Sequence, residues 1–147
     1  MALKEQLLAD LKSAMKEKDT IRKQTVTMIR AAILQVEKDN QVELGDQEIL
    51  DIISKQMKQR RDAMEDFKKA QREDLIEQTE AEMKVIEAYL PKQLTKEEIE
   101  VIVDETIQET GVESIKDMGK IMGALMPKVK GLADGKLVNQ IVREKLQ

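Results

Sequence analysis

From Leu3 the apolar residues recur as Leu3, Leu7, Leu8, Leu11, Ala14 and Met15, in steps of three and four that gather them on one face of a helix ending near Lys16. The break at Lys18-Asp19-Thr20 offers an N-cap, after which Ile21, Met28, Ile29, Ala32, Ile33 and Val36 repeat the pattern to about Lys38. A polar stretch from Asp39 to Asp46 reads as a turn. A long third helix then begins near Gln47 and carries Ile49, Ile52, Ile53, Met57, Ala63, Met64, Phe67 and Ala70 on one stripe. The phase is interrupted around Arg72-Glu73-Asp74, and a fourth segment with Leu75, Ile76, Met83, Ile86 and Leu90 runs up to Pro91, which ends it.

Pro91 to Thr95 is the best boundary in the chain. Thr95-Lys96-Glu97-Glu98 has the form of a capping box, with Leu94 and Ile99 as its hydrophobic staple. It opens a fifth helix through Ile99, Ile102, Val103, Thr106 and Ile107 to Gly111, a residue suited to the left-handed closing position. A short segment with Ile115, Met118, Ile121, Met122 and Leu125 follows, stopped by Pro127 and Gly131. The last helix starts at Asp134 and sets Leu137, Val138, Ile141, Val142 and Leu146 at helical spacing. No stretch alternates apolar and polar residues strictly enough to read as a strand. The pattern therefore predicts an all-α protein: a bundle of four amphipathic helices over residues 1–91, then a small three-helix domain over residues 94–147.

Composition adds a core of unusual chemistry and several exclusions. Phe67 and Tyr89 are the only aromatic residues among 147, so the nine methionines are expected to supply much of the irregular packing volume. With no Cys and no His, the sequence excludes disulfides, thiolate nucleophiles, His-based acid/base catalysis and the usual zinc sites. No apolar run reaches the length of a membrane span and the N-terminus lacks a basic segment followed by an apolar one, which predicts a cytoplasmic protein with no membrane partner. The net charge of −4 speaks against a protein that coats nucleic acid over its whole surface, so a basic site must be local.

Charge changes sign within the tail. Residues 92–113 hold two basic and seven acidic residues, a balance of −5, whereas residues 114–147 hold seven basic and three acidic ones, a balance of +4. The cations Lys116, Lys120, Lys128, Lys130, Lys136 and Arg143, with Gly131 and Gly135 beside them, form a candidate nucleic-acid site. Small residues allow close backbone approach, lysines suit phosphate, and the amides opening the last helix favour an anion. The plainer reading is that these charges are solvated faces, Gly131 a turn residue and Asp134 an N-cap. Stacking aromatics are missing, so shape and phosphate contacts would have to suffice. A second basic stretch, Lys55 to Arg72, reads as the exposed face of the third helix. Catalysis finds no support: adjacent carboxylates such as Asp104 and Glu105 point different ways on a helix, no Glu-x-x-His pair builds a metal site, and no phosphate-cradling Gly-x-x-x-x-Gly-Lys-Ser/Thr loop occurs.

Three stretches carry a resemblance: Ala88-Tyr89-Leu90-Pro91-Lys92-Gln93-Leu94, Asp117-Met118-Gly119-Lys120-Ile121-Met122, and Lys130-Gly131-Leu132-Ala133-Asp134-Gly135-Lys136-Leu137-Val138-Asn139. Together they resemble the YqeY family, whose members are similar to the C-terminal part of GatB, a component of tRNA-dependent amidotransferase, and to an extension of some glutaminyl-tRNA synthetases. The resemblance implies tRNA affinity in residues 94–147, with the first four helices as a companion bundle; the residue types themselves call for no cofactor and no metal. It does not imply amidation, because the catalytic parts of GatB lie outside the shared region; a carbon-nitrogen ligase with glutamine as amido-N donor is the family-level alternative. Leu132 departs from the family pattern, in which a basic residue often stands there, so one implied phosphate contact is missing. A further alternative is a protein adaptor for an aminoacyl-tRNA synthetase or an amidotransferase subunit, docking through Met118, Met122 and Met126.

Overall fold

The computed structural model describes residues 2–147. Among them every regular element is helical: α1 (Leu3–Glu17), α2 (Thr20–Asn40), α3 (Asp46–Lys69), α4 (Glu73–Glu87), α5 (Lys96–Thr110), a 3-10 turn (Ile115–Asp117), α6 (Met118–Val129) and α7 (Gly135–Leu146). The chain divides into two compact units, Met1–Leu90 and Pro91–Gln147.

Local chemistry sets most of the boundaries. Asp19 caps α2 by accepting the Arg22 N–H at 3.2 Å. Glu48 reaches back to the Gly45 amide at the start of α3. The α5 capping box closes as expected, Glu98 donating its N–H to Thr95 Oγ1 at 3.1 Å while the Thr95 N–H meets Glu98 Oε1 at 3.3 Å. Gly111 ends α5 at φ 69°. In the first unit the left-handed corners fall instead on residues with side chains, Lys18, Gln41 and Gln71, at φ 59°, 54° and 56°.

Two boundaries differ from expectation. The α4 helix stops at Glu87, with residues 88–90 in a turn ahead of Pro91. Pro127 lies inside the last turn of α6, which continues to Val129. The carbonyl that a proline at this position leaves unpaired, and would otherwise crowd, belongs to Gly123, and the helix ends two residues later, so the disturbance is confined to its final turn.

Each unit has its own core. In the first, α1 to α4 enclose Leu7, Val26, Ile29, Ile33, Ile49, Ile53, Met57 and Ile86; in the second, Ile99, Val103, Val112, Ile121, Leu125, Val129, Val138, Ile141 and Val142 pack together. Aliphatic branches fill the centre and thioethers its margins: the largest fully buried side chains are Ile, Leu and Val, Met57 and Met64 are buried, and Met83, Met118 and Met122 pack half-buried against the cores. Stiff β-branched side chains need no aromatic partner to fill helix–helix seams of this size.

Candidate nucleic-acid interface

The candidate site lies in the second unit, and its backbone is fixed before any cation is placed. Leu94 donates its N–H to the Leu132 carbonyl at 2.8 Å, and Gln93 Nε2 donates to the Gly131 carbonyl at 3.0 Å. These bonds tie the start of α5 to the turn between α6 and α7. Gly131 sits in that turn at φ 75°, a conformation that disfavours a side chain. Gly135 opens α7, and a Cβ added there would meet Met126 Cε at an ordinary 3.8 Å. Asp134 caps this helix, its Oδ1 accepting the Lys136 N–H at 3.1 Å. One of the amides expected to face a phosphate is therefore taken by the chain's own carboxylate.

The cations sort into two kinds. Lys128 turns back onto α5, where its Nζ donates to Thr106 Oγ1 at 2.9 Å and pairs with Glu109 at 2.8 Å. Lys145 does the same with Asp104 at 3.0 Å. Part of the sign change along the tail is thus internal complementarity: the acidic helix receives one cation from α6 and one from α7. All of these cations are exposed, Lys128 and Lys145 included, but Lys116, Lys120, Lys130 and Arg143 make no ion pair among the described residues.

Helix geometry separates these into two sets. Lys116 and Lys120 flank the start of α6, with open space beside Gly119. Lys130 closes the same helix roughly 15 Å further along its axis, and Lys136 and Arg143 lie two turns apart on the face of α7 opposite Val138, Ile141 and Val142. Met118 and Met122 are half-buried against the core, leaving Met126, 38% exposed, as the accessible member of the proposed methionine docking surface.

Reading the third helix as an exposed basic face overlooks one residue. Arg60 is buried, 8% exposed, with Nη1 donating to Gln56 Oε1 at 2.8 Å, Nη2 3.5 Å from Met28 Sδ and Nε 3.9 Å from Glu82. Its spacing from Ile53, Met57 and Met64 places it within the apolar stripe, and that was the available signal. A second polar cluster forms where α4 ends. Tyr89 donates a short hydrogen bond to Asp10, whose carboxylate also accepts from Gln6 at 2.9 Å and stands 3.4 Å from Arg22. Burial and then the Asp10 bond hold the phenol above its ordinary range. Among the described residues no group of three carboxylates is arranged to hold a metal ion.

With this geometry in place, the family model described as Yqey-like protein matches residues 4–146. Among curated proteins the chain is 33% identical over 142 residues to "Altered inheritance of mitochondria protein 41, mitochondrial" of Pyrenophora tritici-repentis, covering 94% of this chain and 77% of that protein. It is 31% identical to the protein of that name in Kluyveromyces lactis, covering 82% and 70%. A shorter match, 49% identical over 59 residues, is to a component of the glutamyl-tRNA(Gln) amidotransferase of Thermococcus gammatolerans; it spans 37% of this chain and 9% of that protein.

Proposed function

The chain belongs to the YqeY family, and on that premise we propose that it is a non-catalytic tRNA-binding helper of translation, acting in the cytoplasm through the exposed cations of its second unit. One observation carries the reading. Lys128 and Lys145 pair with Glu109 and Asp104 of α5, whereas Lys116, Lys120, Lys130 and Arg143 are exposed and make no ion pair among the described residues. The match to a protein named for glutamyl-tRNA(Gln) supports tRNA over other polyanions, and the absence of His and Cys supports a role without catalysis of its own. Amidation would belong to a partner, an amidotransferase or a synthetase.

Binding of the full chain to total tRNA, measured at two or more salt concentrations, tests this. A phosphate-driven site weakens steeply with salt, and replacing Lys120, Lys130 and Lys136 together by alanine lowers the logarithmic salt slope by roughly 2 to 3. Undetectable binding at low salt removes the proposal. Glutamine-dependent amide transfer by the isolated chain would remove the non-catalytic part of it.

A further inference from the structure

Ala88 and Tyr89, in the stretch that leads into Pro91, lie outside the unit assigned to tRNA. They line a pocket of about 320 Å³ together with Gln6 and Asp10 of α1, Arg22 in the first turn of α2 and Val85 of α4. Val85 and Tyr89 pack against the edge of the first core, which gives the pocket an apolar wall. Its two charged groups, one of each sign, come from α1 and α2.

Neither charge is used up by its neighbours. Arg22 Nη1 stands 3.4 Å from Ser13 Oγ and 3.5 Å from Glu17 Oε2, and Nη2 stands 3.4 Å from Asp10 Oδ1. All three contacts are longer than the ordinary range of about 2.7–3.2 Å. Arg22 Nε makes no hydrogen bond or ion pair among the described residues. The guanidinium is therefore loosely held and keeps donors to spare. Asp10 is fixed more firmly: Gln6 donates to Oδ1 at 2.9 Å, and the Tyr89 hydroxyl donates a short bond to Oδ2. With that one bond on Oδ2, a lone pair is left over.

We propose that this pocket binds a small zwitterion, a free α-amino acid with an aliphatic side chain, its carboxylate on Arg22, its ammonium on Asp10 Oδ2 and its side chain on Val85 and Ala88. The pairing of charges decides the class. Asp10 and Arg22 stand side by side, 3.4 Å apart, as the two charges of an α-amino acid do. A lone anion meets repulsion from Asp10 and a lone cation meets it from Arg22, whereas a zwitterion finds a partner for each end. It also replaces the long contacts of Arg22 with charge-assisted bonds of ordinary length, in the forked geometry that a guanidinium offers a carboxylate. Every lining residue belongs to the first unit, so the proposal is independent of the cations assigned to tRNA.

The protein carries its own reporter. Tyr89 is the only tyrosine and tryptophan is absent, so tyrosine emission of the full chain reads this pocket alone. The chain is titrated with leucine, with isocaproate, which lacks the ammonium, and with isopentylamine, which lacks the carboxylate; saturation-transfer NMR of each ligand supplies a readout that does not depend on the fluorophore. Leucine gives a saturable change at millimolar concentration, and both single-charge analogues bind at least about tenfold more weakly, because each leaves one charged group of the site unpaired. Arg22→Gln weakens leucine about tenfold and brings it level with isopentylamine. Ala88→Leu, which adds bulk to the lining from an exposed position and leaves the Asp10 bonds in place, blocks leucine while the melting temperature is kept. Absence of leucine binding by both readouts overturns the proposal, as does equal binding of leucine and either analogue, or leucine binding indifferent to Arg22→Gln. Alanine at Lys120, Lys130 and Lys136 leaves leucine binding unchanged, so failure here and failure of the tRNA reading are separable.

Discussion

In the second unit charge sits outside the core and clips helices together: Lys128 and Lys145 reach the carboxylates of α5 while the interior is aliphatic, and the one buried polar side chain, Thr106, donates to the Ile102 carbonyl at 2.8 Å. In the first unit polar groups enter the helix seams. Arg60 lies among α2, α3 and α4, Thr25 and Thr79 are buried, and Thr25 Oγ1 and Arg60 Nε find no hydrogen-bond partner. Buried polar atoms left unpaired cost about 1–3 kcal/mol each, so the first bundle carries a burden that the second avoids. Exposed hydrophobic side chains do not separate the two: Leu8, Met15 and Leu34 in the first unit are matched by Val101, Ile115 and Met126 in the second.

Leu125→Ala gives the sharpest test of this contrast. It removes a fully buried side chain from the second core and is expected to cost about 2–5 kcal/mol. Hydrogen exchange should speed up across α5 to α7 and leave α1 to α4 protected; equal loss in both would break the separation into two cores. Next in size is Glu82→Gln, which strips the nearest carboxylate from Arg60 and is expected to destabilise by about 1–3 kcal/mol in denaturant unfolding, while Arg60→Met is neutral or stabilising. If Arg60→Met proved the worse of the two, the buried cation would be an asset of the first unit. Thr95→Ala removes the α5 cap for about 1 kcal/mol, read as a lowered melting temperature of the second unit.

The smallest effect at neutral pH comes from Tyr89. Its phenol is raised above 10.0, so the unfolded chain releases this proton first, and the contribution to stability is intact below that pH and lost as pH climbs past it. Phenolate absorbance from this sole tyrosine should therefore develop together with the loss of helical circular dichroism. Phenolate forming near pH 10 with helicity intact would show that the bond to Asp10 is not made.

Much of the helical order was legible because its causes are local. Asp19, Thr95 with Glu98, and Gly111 act within four residues of where they stand, and the apolar period needs no distant partner to be read. Pro127 was misread because the rule against interior proline assumes a full turn beyond it. Arg60 escaped because charge was given precedence over phase, although its position in the stripe was plain. The methionines split: Met57, Met64, Met83, Met118 and Met122 fill or border the cores as composition implies, while Met15, Met28 and Met126 are exposed, because composition is blind to which faces meet. The cations of the tail illustrate a different limit: Lys128 finds Thr106 and Glu109 across 22 and 19 positions of sequence, and no spacing rule distinguishes it from Lys130, which stays outside. Side-chain destiny of this kind is decided by helix packing.

The corners at Lys18, Gln41 and Gln71 hold left-handed backbone without glycine, each at an expense of roughly 1 kcal/mol. Each lies just past the end of α1, α2 or α3, where a left-handed residue turns its N–H back onto the last carbonyls of the helix. Fraying and proteolytic nicking should start there, long before either aliphatic interior loosens.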